Sequence, residues 1–252
     1  MSRTAALICI LGLAAAASAP AQPYFQPQEG GQEFNGDVTA LFPSQYIWRG
    51  LEYNPDFVFQ PSIRLNESGV EIGADGTLDM TNVDGLKGDF SQWRFRGGLA
   101  RRTAEGGVSL MYVYYYYPEH NRHKTQELAL EMSWGRPLFI EFDIYWDFDY
   151  AEGFYGKADL GYFLDMSPFF LTPRVGIGGA DGKWNEAYYG VDKTAFCDFL
   201  TSLELGIDLG EGLLVTGSVS YYQIASSDLR EAVRPLQRGD YWWYTLGAAW
   251  NF

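Results

Sequence analysis

The sequence predicts an all-β chain, a transmembrane antiparallel up-and-down barrel of about twelve strands. Three observations predict it. Blocks of strand length, alternating apolar and polar, fill residues 37–252. The connections between them alternate too, long after odd-numbered blocks and short after even-numbered ones. Finally, the closing stretch "DYWWYTLGAAWNF" puts Trp242, Tyr244, Leu246, Ala248, Trp250 and Phe252 on one face that is apolar to the last residue.

In chain order, residues 1–21 read as a secretory signal peptide. Arg3 is the charged start, Ala5 to Ala17 the apolar core, and Ala19-Pro20-Ala21 the small-residue site, with cleavage expected after Ala21. An apolar core of that length is too short to cross a bilayer. Residues 22–36 are a polar lead rich in Pro, Gln and Gly, and 37–252 form the barrel. Its blocks are 37–49, 56–66, 70–81, 90–103, 107–117, 125–134, 137–148, 154–165, 169–179, 196–209, 213–225 and 240–252. Alternation is clearest in the seventh, where Leu138, Ile140, Phe142, Ile144, Trp146 and Phe148 oppose Glu141, Asp143, Tyr145 and Asp147. No block sustains a helical period, so helices should be minor.

The long connections include "GLEYNPD", "NVDGLKGD", "PEHNRHK" and "SSDLREAVRPLQRG"; the short ones are "NESG", "TAEGG", "GRP", "DMSP" and "DLGEG". The connection "DYAEG" is short on the long-loop side. Loop 180–195 carries Trp184, Tyr188 and Tyr189, which are expected to pack over or into the lumen because aromatic groups bury readily.

A soluble barrel with its apolar face inward would alternate in the same way. The export signal argues against it. So do aromatics near strand ends (Tyr46, Trp48, Trp93, Tyr112, Tyr114, Tyr116, Trp134, Trp146, Trp242), as membrane-interface girdles require. A closed sheet of about twelve strands is also too wide for side chains alone to fill. The bacterial outer membrane is therefore the expected location and its lipid the expected surroundings. Once Arg3 is removed, 17 of the 18 bases face all 32 acids, which excludes nucleic acid as a partner. Only Cys197 remains after cleavage, so no disulfide can form within the chain.

The alternation directs Glu71, Asp75, Asp79, Glu127, Glu131, Glu141, Asp143, Asp147, Asp159, Asp165, Asp198, Glu204 and Asp208 into the lumen. It sends Arg49, Arg64, Arg94, Arg96, Arg102, Lys157 and Arg174 there as well. Hairpin arithmetic places Asp75 opposite Arg96, Asp159 opposite Arg174, and Glu131 opposite Glu141 with Asp143 beside them. The acids of strands six and seven and the arginines of strands one, two and four should form separate arcs. An acidic excess in such a lumen favours cations. The expected pore lining is Glu127, Glu131, Glu141, Asp143, Asp147, Arg49, Arg64, Arg94, Arg96, Lys157 and Arg174.

A catalytic site is not expected. The histidines His120 and His123 share a loop without serine, so a Ser-His arrangement has no local basis, and a charged loop is the commoner meaning of His-x-x-His than a metal site. No cofactor is implied. The expected function is a channel for passive diffusion of small polar solutes, weakly cation-selective. The alternative is a closed structural or interaction barrel.

Two stretches resemble known families. Ser44, Tyr46, Trp48, Arg49 and Gly50 form a Ser-x-Tyr-x-aromatic-Arg-Gly run followed by a Pro-containing second strand. This resembles the opening of the TorF-type family of bacterial outer-membrane porins, and the resemblance implies a porin-like or transport role. The closing strand resembles the C-terminal signature through which outer-membrane proteins meet the barrel-assembly machinery. Tyr244, Leu246, Trp250 and Phe252 would carry that signature.

Overall fold

The computed structural model describes residues 34–82, 85–103, 105–118, 122–234 and 237–252. The expected signal peptide, most of the polar lead and His120 lie outside the described residues.

The chain runs β1 (Asn35–Pro43), β2 (Tyr46–Trp48), β3 (Leu51–Asn54), β4 (Val58–Glu67), β5 (Val70–Asp79), β6 (Phe90–Thr103) and β7 (Gly106–Tyr116). It continues through β8 (Thr125–Trp134), β9 (Leu138–Asp147), β10 (Gly153–Tyr162), β11 (Leu164–Met166) and β12 (Phe169–Ala180). Helix α1 (Gly182–Tyr189) precedes β13 (Ala195–Asp208) and β14 (Leu213–Ile224), and α2 (Ser227–Val233) precedes β15 (Asp240–Asn251).

Every wall strand pairs antiparallel with its sequence neighbours, and β1 pairs with β15 from Asp37↔Asn251 to Pro43↔Thr245. The short β11 lies on β12, β10 pairs with β12, and the ring of twelve wall strands is closed. Closure leaves no sheet edge to face lipid with unpaired backbone groups. The seam reaches the last residue: Gly36 N–H donates to the Phe252 carbonyl at 2.9 Å and Phe252 N–H to the Gly36 carbonyl at 3.0 Å.

Period two decides what each face meets. On β9, Leu138, Ile140, Phe142, Ile144 and Trp146 are exposed outward. A belt this apolar belongs in lipid, and a chain of this fold with this outside is a bacterial outer-membrane barrel. Trp134 stands outward near the short-turn end, and Trp146, Trp242 and Tyr116 near the long-loop end.

Four expectations are corrected. The first block does not continue to residue 49. β1 stops at Pro43, and the chain turns inward as the β2–β3 hairpin, so Tyr46 and Trp48 are buried rather than members of an outer girdle. Arg49 (φ 47°) and Gly50 (φ 88°) form its two-residue turn, the left-handed pair that tight hairpins require. Loop 180–195 holds a helix: Asp181 accepts the Trp184 N–H at 2.9 Å at its start, and Gly190 (φ 74°) ends it in the left-handed form. The register also differs. Asp75 faces Arg94, Asp159 faces Gly176, and Glu131 faces Asp143, while Glu141 faces Ser133. Asp165 lies on β11 at the turn end, where its Oδ1 accepts the Ser167 N–H at 3.0 Å.

Candidate functional site in the barrel lumen

Two layers fill the lumen. The upper one, at the long-loop end, is a plug made by the β2–β3 hairpin and α1. Trp48 and Trp184 are among the most buried side chains, with Tyr115, Tyr155, Tyr188 and Tyr189 packed around them. The aromatics of loop 180–195 thus pack into the lumen, as their size favours.

Arg49 is the charge at the centre of this plug. Its Nη1 and Nη2 donate to Glu127 Oε1 and Oε2 at 2.5 and 2.8 Å, a bidentate pair in which Glu127 is 0% exposed. Its guanidinium sits 4.5, 4.2 and 4.6 Å from the ring centres of Trp48, Tyr145 and Tyr155. The Tyr115 hydroxyl donates to Glu127 at 3.1 Å, and the Tyr189 hydroxyl donates to the Arg49 carbonyl at 2.8 Å. The plug is therefore tied to β8 through its hairpin turn. Gly50 makes room for this, since a Cβ there would strike the Tyr189 hydroxyl.

Asp147 also belongs to the upper layer. It accepts from Thr125 at 2.7 Å, from the backbone N–H groups of residues 149–151 at 3.0–3.2 Å, and from Tyr188 at 3.0 Å. It organises the short "DYAEG" connection and anchors α1, which is why that connection needs no length.

Below the plug the lumen is polar and charged. Arg94 pairs with Asp75 at 3.0 Å, Arg64 with Asp37 at 3.1 Å, and Arg102 with Glu71. Arg96 reaches past β7 to Glu131 on β8 at 2.7 Å. Arg174 reaches past β10 to Glu141 on β9 at 2.6 Å. Lys157 lies 2.7 Å from Asp159 and 4.0 Å from Asp143. The acidic and basic arcs are thus stitched together by ion pairs rather than standing apart, and Glu131 and Glu141 are each answered by an arginine. Of the expected lumen acids, Asp79, Asp147, Asp198, Glu204 and Asp208 are among those that have no ion pair within the described residues. Serine and tyrosine hydroxyls meet Asp79 (Ser91, 2.9 Å) and Asp198 (Tyr155, 3.0 Å).

A cavity of about 190 Å³ lies in this layer with Arg49 at its ceiling. Of the expected pore-lining set, Arg94, Arg96, Glu131, Glu141, Asp143, Lys157 and Arg174 stand on its wall. Glu127 and Asp147 are sealed in the plug, and Arg64 lies on β4 toward the turn end. The sequence reading omitted Asp37, whose place on the inward face of β1 follows from the β1–β4 register.

The barrel fold has known counterparts. The KdgM porin superposes at a TM-score of 0.51 with 7% identity, covering 86% of this chain and 99% of that one. The NanC porin superposes at 0.51 with 10% identity, covering 85% and 98%. The fold is that of a porin barrel. No family model matches the sequence, and no curated protein matches it either.

Proposed function

We propose that the protein is a porin-like channel of the outer membrane, passing small polar solutes by diffusion with weak cation selectivity. The observation that carries this reading is the cavity with charged walls inside a closed barrel whose outside is apolar. Inward acids outnumber inward bases, which supports the cation preference. The plug narrows the long-loop mouth, so conductance should be small. Purified protein in planar bilayers should show discrete current steps. Their absence would remove the channel reading and favour the closed structural barrel, which the dry Arg49–Glu127 tie supports.

The Ser44–Gly50 run supports kinship with the TorF-type porins, and residues 1–21 would export the chain as a cleaved signal peptide. No enzymatic role is proposed. The apolar face of Tyr244, Leu246, Trp250 and Phe252 would be the assembly signal, and the two backbone bonds of Phe252 would also seal the β1–β15 seam. Deleting Phe252 should block insertion. Normal yield of heat-modifiable protein in the outer-membrane fraction would refute that role.

A further inference from the structure

One buried carboxylate of the lumen stands unanswered. Asp79, Asp147, Asp198 and Asp208 have no ion pair, but each accepts from a hydroxyl or a backbone N–H, Asp208 from Gly210 at 2.8 Å. Glu204, on the inward face of β13, is 5% exposed, and within the described residues no hydrogen bond or ion pair reaches it. Arg174, on the neighbouring strand, is held by Glu141 at 2.6 Å. A charge this buried needs a partner of opposite sign or a set of ligands, because its lost hydration has to be replaced.

The strand registers give its surroundings. Thr172↔Glu204, Glu204↔Ser218 and Ser218↔Thr245 make one inward row across β12, β13, β14 and β15. The next row toward the plug is Arg174, Ser202, Ser220 and Trp243. Directly opposed residues stand about 4.5–5.5 Å apart, so Glu204 lies among hydroxyl groups. Two of these are themselves unanswered: Ser220 Oγ and Thr245 Oγ1 are buried without a hydrogen-bond partner. On the turn side the row is closed by Phe170, which is buried with its ring against Gly206, where a Cβ would strike it. On the plug side it meets the charged cavity, whose wall includes Arg174 and Trp243. Entry is therefore from the cavity.

We propose that Glu204, with the hydroxyls of Ser218, Ser220 and Thr245, binds an alkali-metal cation in the barrel wall. Carboxylate and hydroxyl oxygens are hard ligands, suited to such ions and not to soft metals. Charge selects the monovalent ion. One carboxylate neutralises one positive charge, whereas a divalent ion would keep an excess beside Arg174. Among the described residues no three Asp, Glu, His or Cys side chains come together as a divalent site would use. A single bound cation answers both observations, giving Glu204 its counter-charge and the two hydroxyl oxygens a partner. Ionisable groups at membrane depth that are not paired with one another mark ion sites for this reason.

The site goes beyond the channel reading, since a cation in the wall needs no conduction, and it is tested apart from current steps. Sodium-23 NMR linewidth is followed for the full barrel in non-ionic detergent at neutral pH. Sodium chloride replaces the chloride of the bulky cation N-methyl-D-glucamine at constant ionic strength. The wild type should show a saturable broadening that potassium displaces and calcium at the same ionic strength does not. In Glu204→Gln the saturable component should vanish. In Thr245→Val half-saturation should need about tenfold more sodium, for one oxygen ligand lost. A wild type without a saturable component, as a Glu204 carrying a proton would give, overturns the proposal. So does a Glu204→Gln variant that keeps the component, or calcium displacing sodium more tightly than potassium does. The wild-type titrations decide the matter even if a variant does not fold.

Discussion

The plug and the cavity beneath it use the same components, arginine and carboxylate, in opposite surroundings. In the plug, Arg49 and Glu127 are 5% and 0% exposed and enclosed by aromatic rings. In the cavity, Arg174 is as buried, but its partner Glu141 is 30% exposed and meets water. A dry ion pair costs much of its attraction in lost hydration, yet removing one partner strands a buried charge. A wet pair gains little and loses little, because water replaces the missing partner. The difference teaches that the upper pair fixes structure, whereas the lower pairs set the field in the cavity.

The largest expected effect tests that division directly. Glu127→Ala should destabilise the plug by about 3–5 kcal/mol, since Arg49 cannot remain uncompensated among aromatic rings. The hairpin should leave the lumen and conductance should rise, while the barrel itself stays assembled. Glu141→Ala should cost less, because Glu141 is 30% exposed and Arg174 borders the cavity. The check is paired: single-channel conductance for the plug, and the temperature at which the folded band disappears in electrophoresis for the barrel. Equal effects of the two substitutions would erase the contrast.

A smaller effect sharpens the lower half. Glu131→Gln with Glu141→Gln removes two carboxylates and leaves Arg96 and Arg174 without those partners. The reversal potential under a salt gradient should move toward anion preference. The shift should shrink above about 0.1 M salt, where the screening length falls to about 10 Å. An unchanged reversal potential would show that these residues do not face the conducting path.

Position along the long-loop side adds a further contrast. Lys193 and Asp228 pair at the surface between the α1 connection and α2, where the lysine draws the Asp228 carboxyl below its usual range. That exposed pair contributes little beside the buried tie below it.

What the sequence determined by itself was everything governed by local periodicity. Alternation with period two identified the wall strands to within a few residues, except the first, which it ran six residues too far, and it sent Glu131, Asp143, Lys157 and Arg174 to the inward face. A lone residue such as Asp165 at a block's end went astray because alternation stops where the turn begins. Signals for the plug were present in the sequence as well: Arg49-Gly50 as a left-handed turn, and Asp181 with Gly190 bracketing α1. Each was too short to stand out against strand-length alternation. Only the tertiary structure decided which charges meet. Arg96 finds Glu131 and Arg174 finds Glu141 by reaching over an intervening strand, a distance set by barrel curvature and side-chain length. A register error of two residues leaves every face unchanged but exchanges every partner, so the pattern that names the lumen residues carries no information about their pairing.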